Sequence, residues 1–269
     1  MDMVTLKKVQ CTLLEIAKEI KRVCDENDIQ YFLDSGTQLG AVRHEGFIPW
    51  DDDFDMGMIR SEYLRFCEIA PKKLKDEYYL QTWENDLNYA VPFAKVRKKN
   101  TVYMEDKASV NLDNGFYVDI FPYDYAPIDL KAKNTLMNKL AQIERVVLMK
   151  CNYRPWKEQN GTNYKKKIAY MPYKYISLII SKERLIKKYE KLVYSVEQSE
   201  DLYIQYGSSK GFFVPKECFR EGKELKFEDT TFRCPIDTNL YLTSIYGDYM
   251  TLPPEEEREN RHQIIKIKF

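Results

Sequence analysis

Four aspartates fall within five residues: Asp51, Asp52, Asp53 and Asp55, interrupted only by Phe54. No other stretch of the chain restricts the fold as strongly. Like charges about 5 Å apart repel by roughly 3 kcal/mol per pair at an effective dielectric near 20. A folded chain accommodates that either by turning the carboxylates into water or by placing a cation among them. The neighbours argue against plain solvation. Phe47, Ile48, Pro49 and Trp50 precede the cluster, and Phe54, Met56, Met58 and Ile59 lie within or after it. Acid embedded in apolar sequence points to a metal site at the end of a buried strand.

The local pattern places that strand in an α/β sheet. Leu6, Val9, Leu13, Ile16, Ile20 and Val23 recur at three- and four-residue spacing, which predicts an amphipathic helix ended by Asn27-Asp28. A short strand over 29–33, a turn at Ser35-Gly36 and a short helix over 37–44 follow. Asp53 to Ile59 reads as the next strand. Ser61 then caps a helix that stops near Pro71. Further strands are expected at 78–83, 91–96, 101–105 and 115–121, the last ended by Pro122. From Asp129 the pattern turns helical and basic. A hairpin is expected around Glu228-Asp229, and Asp237 caps a last helix closed by Gly247. Strands and helices mixed in this way predict an α/β (α+β) fold.

Strand side chains alternate faces, so Asp53 and Asp55 share one face. Two carboxylates at that spacing can clasp a hard cation such as Mg²⁺ or Mn²⁺. Asp119 is the best third ligand. It interrupts the apolar run Phe116-Tyr117-Val118-Asp119-Ile120-Phe121, where a charge needs a partner. Two metals so held can stabilise the attacking and leaving oxygens of a phosphoryl transfer. A small residue at a turn before a helix lets backbone N–H groups approach a phosphate, so Ser35, Gly36 and Thr37 are candidate phosphate contacts. Arg43, Lys95 and Arg97 are candidate phosphate cations. His44 and His262 read as structural.

The run SGTQLGAVRHEGFIPWDDDFDMGM (residues 35–58) strongly resembles the LicD family of the nucleotidyltransferase superfamily. AKVRKKNT, VDIFPYD and YGDYMTLPPEEER look like further family blocks, so the resemblance spans most of the chain. It implies a polymerase-β-like mixed sheet with flanking helices, extended by a mainly helical C-terminal region. It implies transfer of phosphocholine, or a related phospho-alcohol, from CDP-choline or a similar CDP-alcohol to a glycan or lipid-linked glycan acceptor, with CMP released. By the same resemblance Asp53, Asp55 and Asp119 are metal ligands and Gly36-Thr37 holds donor phosphate. Two alternatives stay open: a nucleotidyltransferase that adds NMP to a small molecule, and a non-catalytic cation-binding module.

Charge sharpens the division of the chain. Residues 1–125 carry 16 Lys+Arg and 23 Asp+Glu, a net of −7, and residues 126–269 carry 26 and 19, a net of +7. This composition shift sets a boundary near residue 126; by the resemblance, 1–125 is the nucleotidyltransferase-like catalytic core and 126–269 a mainly helical, acceptor-side region packed on it. Zero net charge overall speaks against a nucleic-acid binder. The basic stretch 164–192 either packs on the acidic half or touches an anionic membrane surface. Six scattered cysteines without CxxC pairs read as free thiols in a reducing compartment, hence a cytoplasmic protein. The 21 Tyr, 13 Phe and 3 Trp invite a cation–π cage for a quaternary ammonium, with Trp83, Tyr89, Tyr123, Tyr125, Tyr153 and Trp156 as candidates.

Overall fold

The computed structural model describes residues 1–106, 114–158, 161–197, 202–205, 212–220, 222–260, 262 and 264–269. The first helix, α1 (Met3–Glu26), is capped by Asp2, whose side chain accepts the Thr5 N–H. Its periodic stripe of Val9, Leu13, Ile16, Ile20 and Val23 is fully buried against the sheet. Each such side chain contributes roughly 1.5–3 kcal/mol of apolar burial.

The chain continues through β1 (Phe32–Leu33), α2 (Ser35–His44), β2 (Asp55–Ile59), α3 (Arg60–Lys73), β3 (Tyr78–Gln81), β4 (Ala94–Lys98), β5 (Val102–Glu105) and β6 (Tyr117–Ala126). The central sheet runs β1-β2-β6-β4-β3. Among the described residues only β2 and β6 pair in parallel, and that register sets Asp55 opposite Asp119. On the other edge of β6, Lys95 of β4 stands opposite Asp119. The pairing of three strands therefore brings these charges together. At Gly57 of β2, the ring of Phe32 occupies the space that a Cβ would need. Glycine there lets β1 pack flat on β2.

Pro122 does not end its strand, which runs on to Ala126. The reason lies in the neighbours of β6. Residues 117–120 pair with β4, and residues 123–126 pair with β9 (Leu202–Gln205). Asp119 donates its N–H to the Phe54 carbonyl on the β2 side, so Pro122 faces the opposite edge. It falls in the gap between β4 and β9, where no ladder donor is required. Other boundaries also move. The helix α3 runs past Pro71 to Lys73, and β2 starts at Asp55, leaving Asp51 to Phe54, Asp53 included, in the connection before the strand.

The second half is helical where it is basic: α4 (Leu130–Lys150), α5 (Tyr164–Ala169), α6 (Met171–Ile179) and α7 (Lys182–Val193), with the two-residue strands β7 (Lys157–Glu158) and β8 (Gly161–Thr162) between. Leu136, Leu140, Ile143, Val147, Leu185 and Tyr189 form a core of their own between α4 and α7. Strands return afterwards: β9, β10 (Phe212–Pro215) outside it, the hairpin β11 (Gly222–Phe227) and β12 (Thr230–Pro235), and β13 (Ile264–Lys268). The hairpin turns at Glu228-Asp229, and Asp237 caps α8 (Thr238–Tyr246) through the Leu240 N–H. Phe227, Phe232 and Cys234 enter the same core as α1. The composition change at residue 126 is thus not mirrored in the packing, because the sheet takes strands from both sides of it. All six cysteines are free thiols.

Candidate active site

Ser35 opens α2 with a positive φ of 45°, a left-handed conformation that is uncommon for a residue other than glycine. It is held from both sides. Its N–H donates to the Tyr241 hydroxyl at 3.0 Å, and its Oγ reaches Asp34 Oδ1 at 3.2 Å. Asp34 is fully buried and also accepts the hydroxyls of Tyr123 (2.8 Å) and Tyr241. Burial nonetheless raises its pKa against those three hydrogen bonds. Tyr241, on α8, therefore clamps the turn from more than two hundred residues away. Local strain fixed by such long-range contacts marks a turn that must keep one shape.

The turn is tied directly to the acids. The Asp55 N–H donates to Thr37 Oγ1 at 2.9 Å, and the Asp34 N–H donates to the Asp55 carbonyl at 3.1 Å. At Gly36 an added Cβ would lie 3.2 Å from Asp51 Oδ2, so the cluster and the turn are in close contact.

Burial pushes the Asp55 carboxyl well above the usual range, and the charges of Asp53, Asp119, Asp34 and Asp51 add to the shift in that order. Burial also raises Asp119, although Lys95 Nζ stands 2.6 Å from its Oδ1. Lys95 is in turn lowered by burial, in spite of Asp119. Buried carboxylates that repel one another cost stability, and a divalent cation relieves that cost. The donor set is all hard oxygen, which fits Mg²⁺ or Mn²⁺. Among the described residues no group of three His, Cys, Asp or Glu side chains is already closed around a cation position. The three acids are neighbours, with Lys95 held against one of them.

Asp52 is buried and faces differently from its neighbours. Tyr103 donates its hydroxyl to the Asp52 carbonyl at 3.0 Å, and His262 Nδ1 lies 3.0 Å from Asp52 Oδ1 and 3.7 Å from Asp53 Oδ2. Burial disfavours the imidazolium, but the Asp52 hydrogen bond and the Asp53 charge outweigh it and push His262 up to about 10. The last strand, β13, lies antiparallel to β5 and brings His262 there, while Asn260 Nδ2 donates to the Trp50 carbonyl at 3.1 Å. Sequence reasoning reads His262 as structural and passes over Tyr241. Neither stands in a local motif, and only the return of the C-terminal segment reveals them.

A cavity of about 260 Å³ opens beside Asp119. Lys95, Arg97, Glu105 and His262 line it with Tyr89, Phe93, Tyr103, Tyr117 and Tyr153. Tyr89 is fully buried, and its hydroxyl has no hydrogen-bond partner among the described residues. Burial raises the Glu105 carboxyl, but Lys95 and His262 prevail and leave it below its ordinary value. Lys95 Nζ also sits 3.3 Å from the centre of the Tyr117 ring. Arg97 is committed to Gln81 Oε1 (2.5 Å) and to the Gly115 carbonyl (2.6 Å).

The structure brings Ser35, Gly36, Thr37, Asp53, Asp55, Asp119 and Lys95 together, with Arg97 on the cavity wall. It does not bring Arg43 to them. Arg43 lies at the far end of α2, about 12 Å of helix rise from Ser35, and donates to the Tyr249 carbonyl at 2.9 Å. Of the six aromatic candidates, Tyr89 and Tyr153 face this cavity. Tyr123 bonds Asp34, Trp83 packs on Tyr189, Trp156 packs near Tyr170, and Lys216 covers Tyr125.

Similarity to known proteins covers nearly the whole chain. A family profile described as LicD/FKTN/FKRP, nucleotidyltransferase domain, matches residues 28–158, which hold α2, the acid cluster and β6. The lipopolysaccharide cholinephosphotransferase LicD of Haemophilus influenzae is 31% identical over 266 residues, 97% of each chain. The ribitol 5-phosphate transferase FKRP of Mus musculus is 41% identical over 143 residues, 45% of this chain and 29% of that one.

Proposed function

The chain belongs to the LicD/FKTN/FKRP family, and on that premise we propose that it transfers a phospho-alcohol, with phosphocholine as the leading candidate, from a CDP-linked donor to a cell-surface glycan or lipid-linked glycan precursor, releasing CMP. The observation that carries this reading is the register pairing of Asp55 with Asp119 beneath a strained Ser-Gly-Thr turn. The near full-length similarity to a cholinephosphotransferase supports choline, and the similarity to a ribitol 5-phosphate transferase keeps the wider class of alcohols in view.

Asp53, Asp55 and Asp119 would hold Mg²⁺ or Mn²⁺, which when bound neutralises charge on the phosphate oxygens. The N–H groups at the start of α2 orient the donor phosphate, aided by the positive end of that helix. Lys95 balances the charge of Asp119. The acceptor hydroxyl donates a hydrogen bond to Asp119 as its oxygen attacks the phosphorus bearing the alcohol. The new O–P bond forms, the bond to the CMP oxygen breaks, and the acceptor proton passes to a carboxylate of the cluster. The aromatic-lined cavity beside Asp119 receives the small alcohol.

A thermal-shift panel of CDP-choline, CDP-ethanolamine, CDP-glycerol and CDP-ribitol with Mg²⁺ tests the donor. One of them is expected to stabilise the protein selectively, and incubation with a glycan acceptor is expected to yield CMP. Stabilisation by ATP alone, with pyrophosphate as product, would replace this reading with NMP transfer to a small molecule.

A further inference from the structure

The helical half exposes apolar side chains where a water-soluble surface normally hides them. Ile179 is 84% exposed, Leu178 71% and Ile168 70%, with Tyr164, Met171 and Tyr175 also exposed. α5 has no buried residue at all, and α6 buries only Ser177. Along α6 the exposed Met171, Tyr175, Leu178 and Ile179 stand at i, i+4, i+7 and i+8, which is one helix face. This face is not the result of a loosely docked helix. On the opposite side Tyr173 packs into the α4–α7 core. Lys150 Nζ donates to the Ser177 carbonyl at 2.8 Å, and Lys174 Nζ donates to the Met149 carbonyl at 3.2 Å. The inner face is fastened and the outer face is left bare.

Charge selects what covers it. The sixteen residues from Tyr164 to Ile179 contain four lysines and no Asp or Glu. A two-fold pairing of this face with its own copy would bring lysine clusters together with no acid between them, which opposes association. An anionic lipid surface supplies both the apolar phase and the complementary charge. Tyrosine within an apolar face suits the headgroup layer, where its ring is buried and its hydroxyl stays wet. No helix among the described residues is long and apolar enough to cross a membrane. The arrangement is that of a segment lying in the membrane plane.

We propose that α5 and α6 form a docking face that seats the protein on an anionic membrane surface. The face connects to the reaction site through one side chain. Tyr153 lines the cleft beneath α5 and α6 together with Lys167, Tyr170 and Met171, and it also lines the cavity that holds Asp119. A protein seated there keeps the acidic site next to the bilayer, where a lipid-linked acceptor would be presented. The docking face needs no assumption about the donor, so its test is independent of the catalytic reading.

The test is co-sedimentation of the full chain with phosphatidylcholine vesicles, with and without phosphatidylglycerol, at low and high salt. Binding to the phosphatidylglycerol vesicles at least about tenfold above neutral vesicles, and weakening with salt, is expected. The double substitution Leu178→Glu with Ile179→Glu, and separately Lys165→Glu with Lys166→Glu and Lys167→Glu, should each reduce binding by about tenfold or more. All these positions are solvent-exposed, so the melting temperature and any Mg²⁺-dependent thermal shift should stay unchanged. Absence of wild-type binding to either vesicle would overturn the proposal. So would undiminished binding after the Leu178→Glu and Ile179→Glu double substitution, or a wild-type dimer that the same pair of changes dissociates.

Discussion

The sheet half of the molecule hides charge, and the helical half displays apolar side chains. Each departs from ordinary partitioning, and in opposite directions. Asp34 and Asp52 are buried in the first half, and Asp55 and Asp119 stand where burial raises their pKa. Ile168, Leu178 and Ile179 are exposed in the second. The difference teaches where stability has been given up. Carboxylates crowded under a strained turn destabilise the protein until something positive binds. An apolar face in water is costly until something apolar covers it. Not every buried charge is left uncompensated: Asp124 is buried, but Arg60 meets it with two hydrogen bonds of 2.8 and 2.6 Å.

The sharpest way to break this comparison is to neutralise one crowded acid. Asp55→Asn should lower turnover by about 10²–10³-fold, the scale of losing one principal electrostatic group. It should also raise the melting temperature of the metal-free protein above neutral pH. The sign follows from the shift. A carboxyl whose folded pKa is raised contributes stability below its unfolded pKa and loses it as pH rises through the folded value. An amide at position 55 never ionises, so that loss disappears. Mg²⁺ should stabilise the wild type and not this variant. A metal-free Asp55→Asn protein that melts lower than wild type at pH 8 contradicts the account of crowding.

The paired acid supplies the control. Asp124→Asn leaves the half-buried Arg60 without its charged partner and should destabilise by about 3 kcal/mol, measured by urea unfolding. Two aspartates on adjacent strands of one sheet are thus expected to respond with opposite signs. If both substitutions destabilise equally, the acid cluster is structural.

His262→Ala removes the side chain that reaches both Asp52 and Asp53. As a group that orients the Asp52 and Asp53 carboxylates from the cavity wall, it should cost about 10–100-fold in turnover or in metal affinity. His262→Gln should recover part of this, since one side-chain N–H can still reach Asp52. Equal losses for Ala and Gln, with no change in the Mg²⁺ titration, would show that the segment matters only for folding.

Local and distant contacts are unequally legible. Periodicity identifies α1, alternation identifies the acid strand, and local chemistry identifies the Glu228-Asp229 hairpin and the Asp237 cap, because each depends on neighbours within a few residues. The likeness of residues 35–58 to the LicD family likewise lies within one continuous run. What stays hidden depends on distant pairings. Tyr241 beneath Ser35, His262 beside Asp52, and β9 taking over the edge of β6 past Pro122 all join residues some eighty or more positions apart. No spacing rule within one segment carries such contacts. Arg43 shows the converse error, since nearness in sequence to the turn is undone by a helix that carries it away. The exposure of α6 is equally hidden, because MPYKYISLI reads the same whether its apolar face is covered or bare.

The smallest expected effect tests whether the helical half also contains a charge out of place. Glu144 lies on α4 beside Tyr189, and burial pushes its carboxyl up to about 7 although the Tyr189 hydroxyl and Arg145 oppose the shift. Its folded pKa exceeds the ordinary unfolded value near 4.5, so its contribution to stability is complete below pH 4.5 and is lost as pH rises through 7. Unlike Asp55, it has no other carboxylate among the causes of its shift, so no cation should substitute for its proton. Glu144→Gln should leave the melting temperature nearly unchanged at pH 4.5 and raise it by a few degrees at pH 8, with no dependence on Mg²⁺. A gain that Mg²⁺ reproduces in the wild type would instead place a cation in the helical core, and the contrast between the two halves would no longer hold.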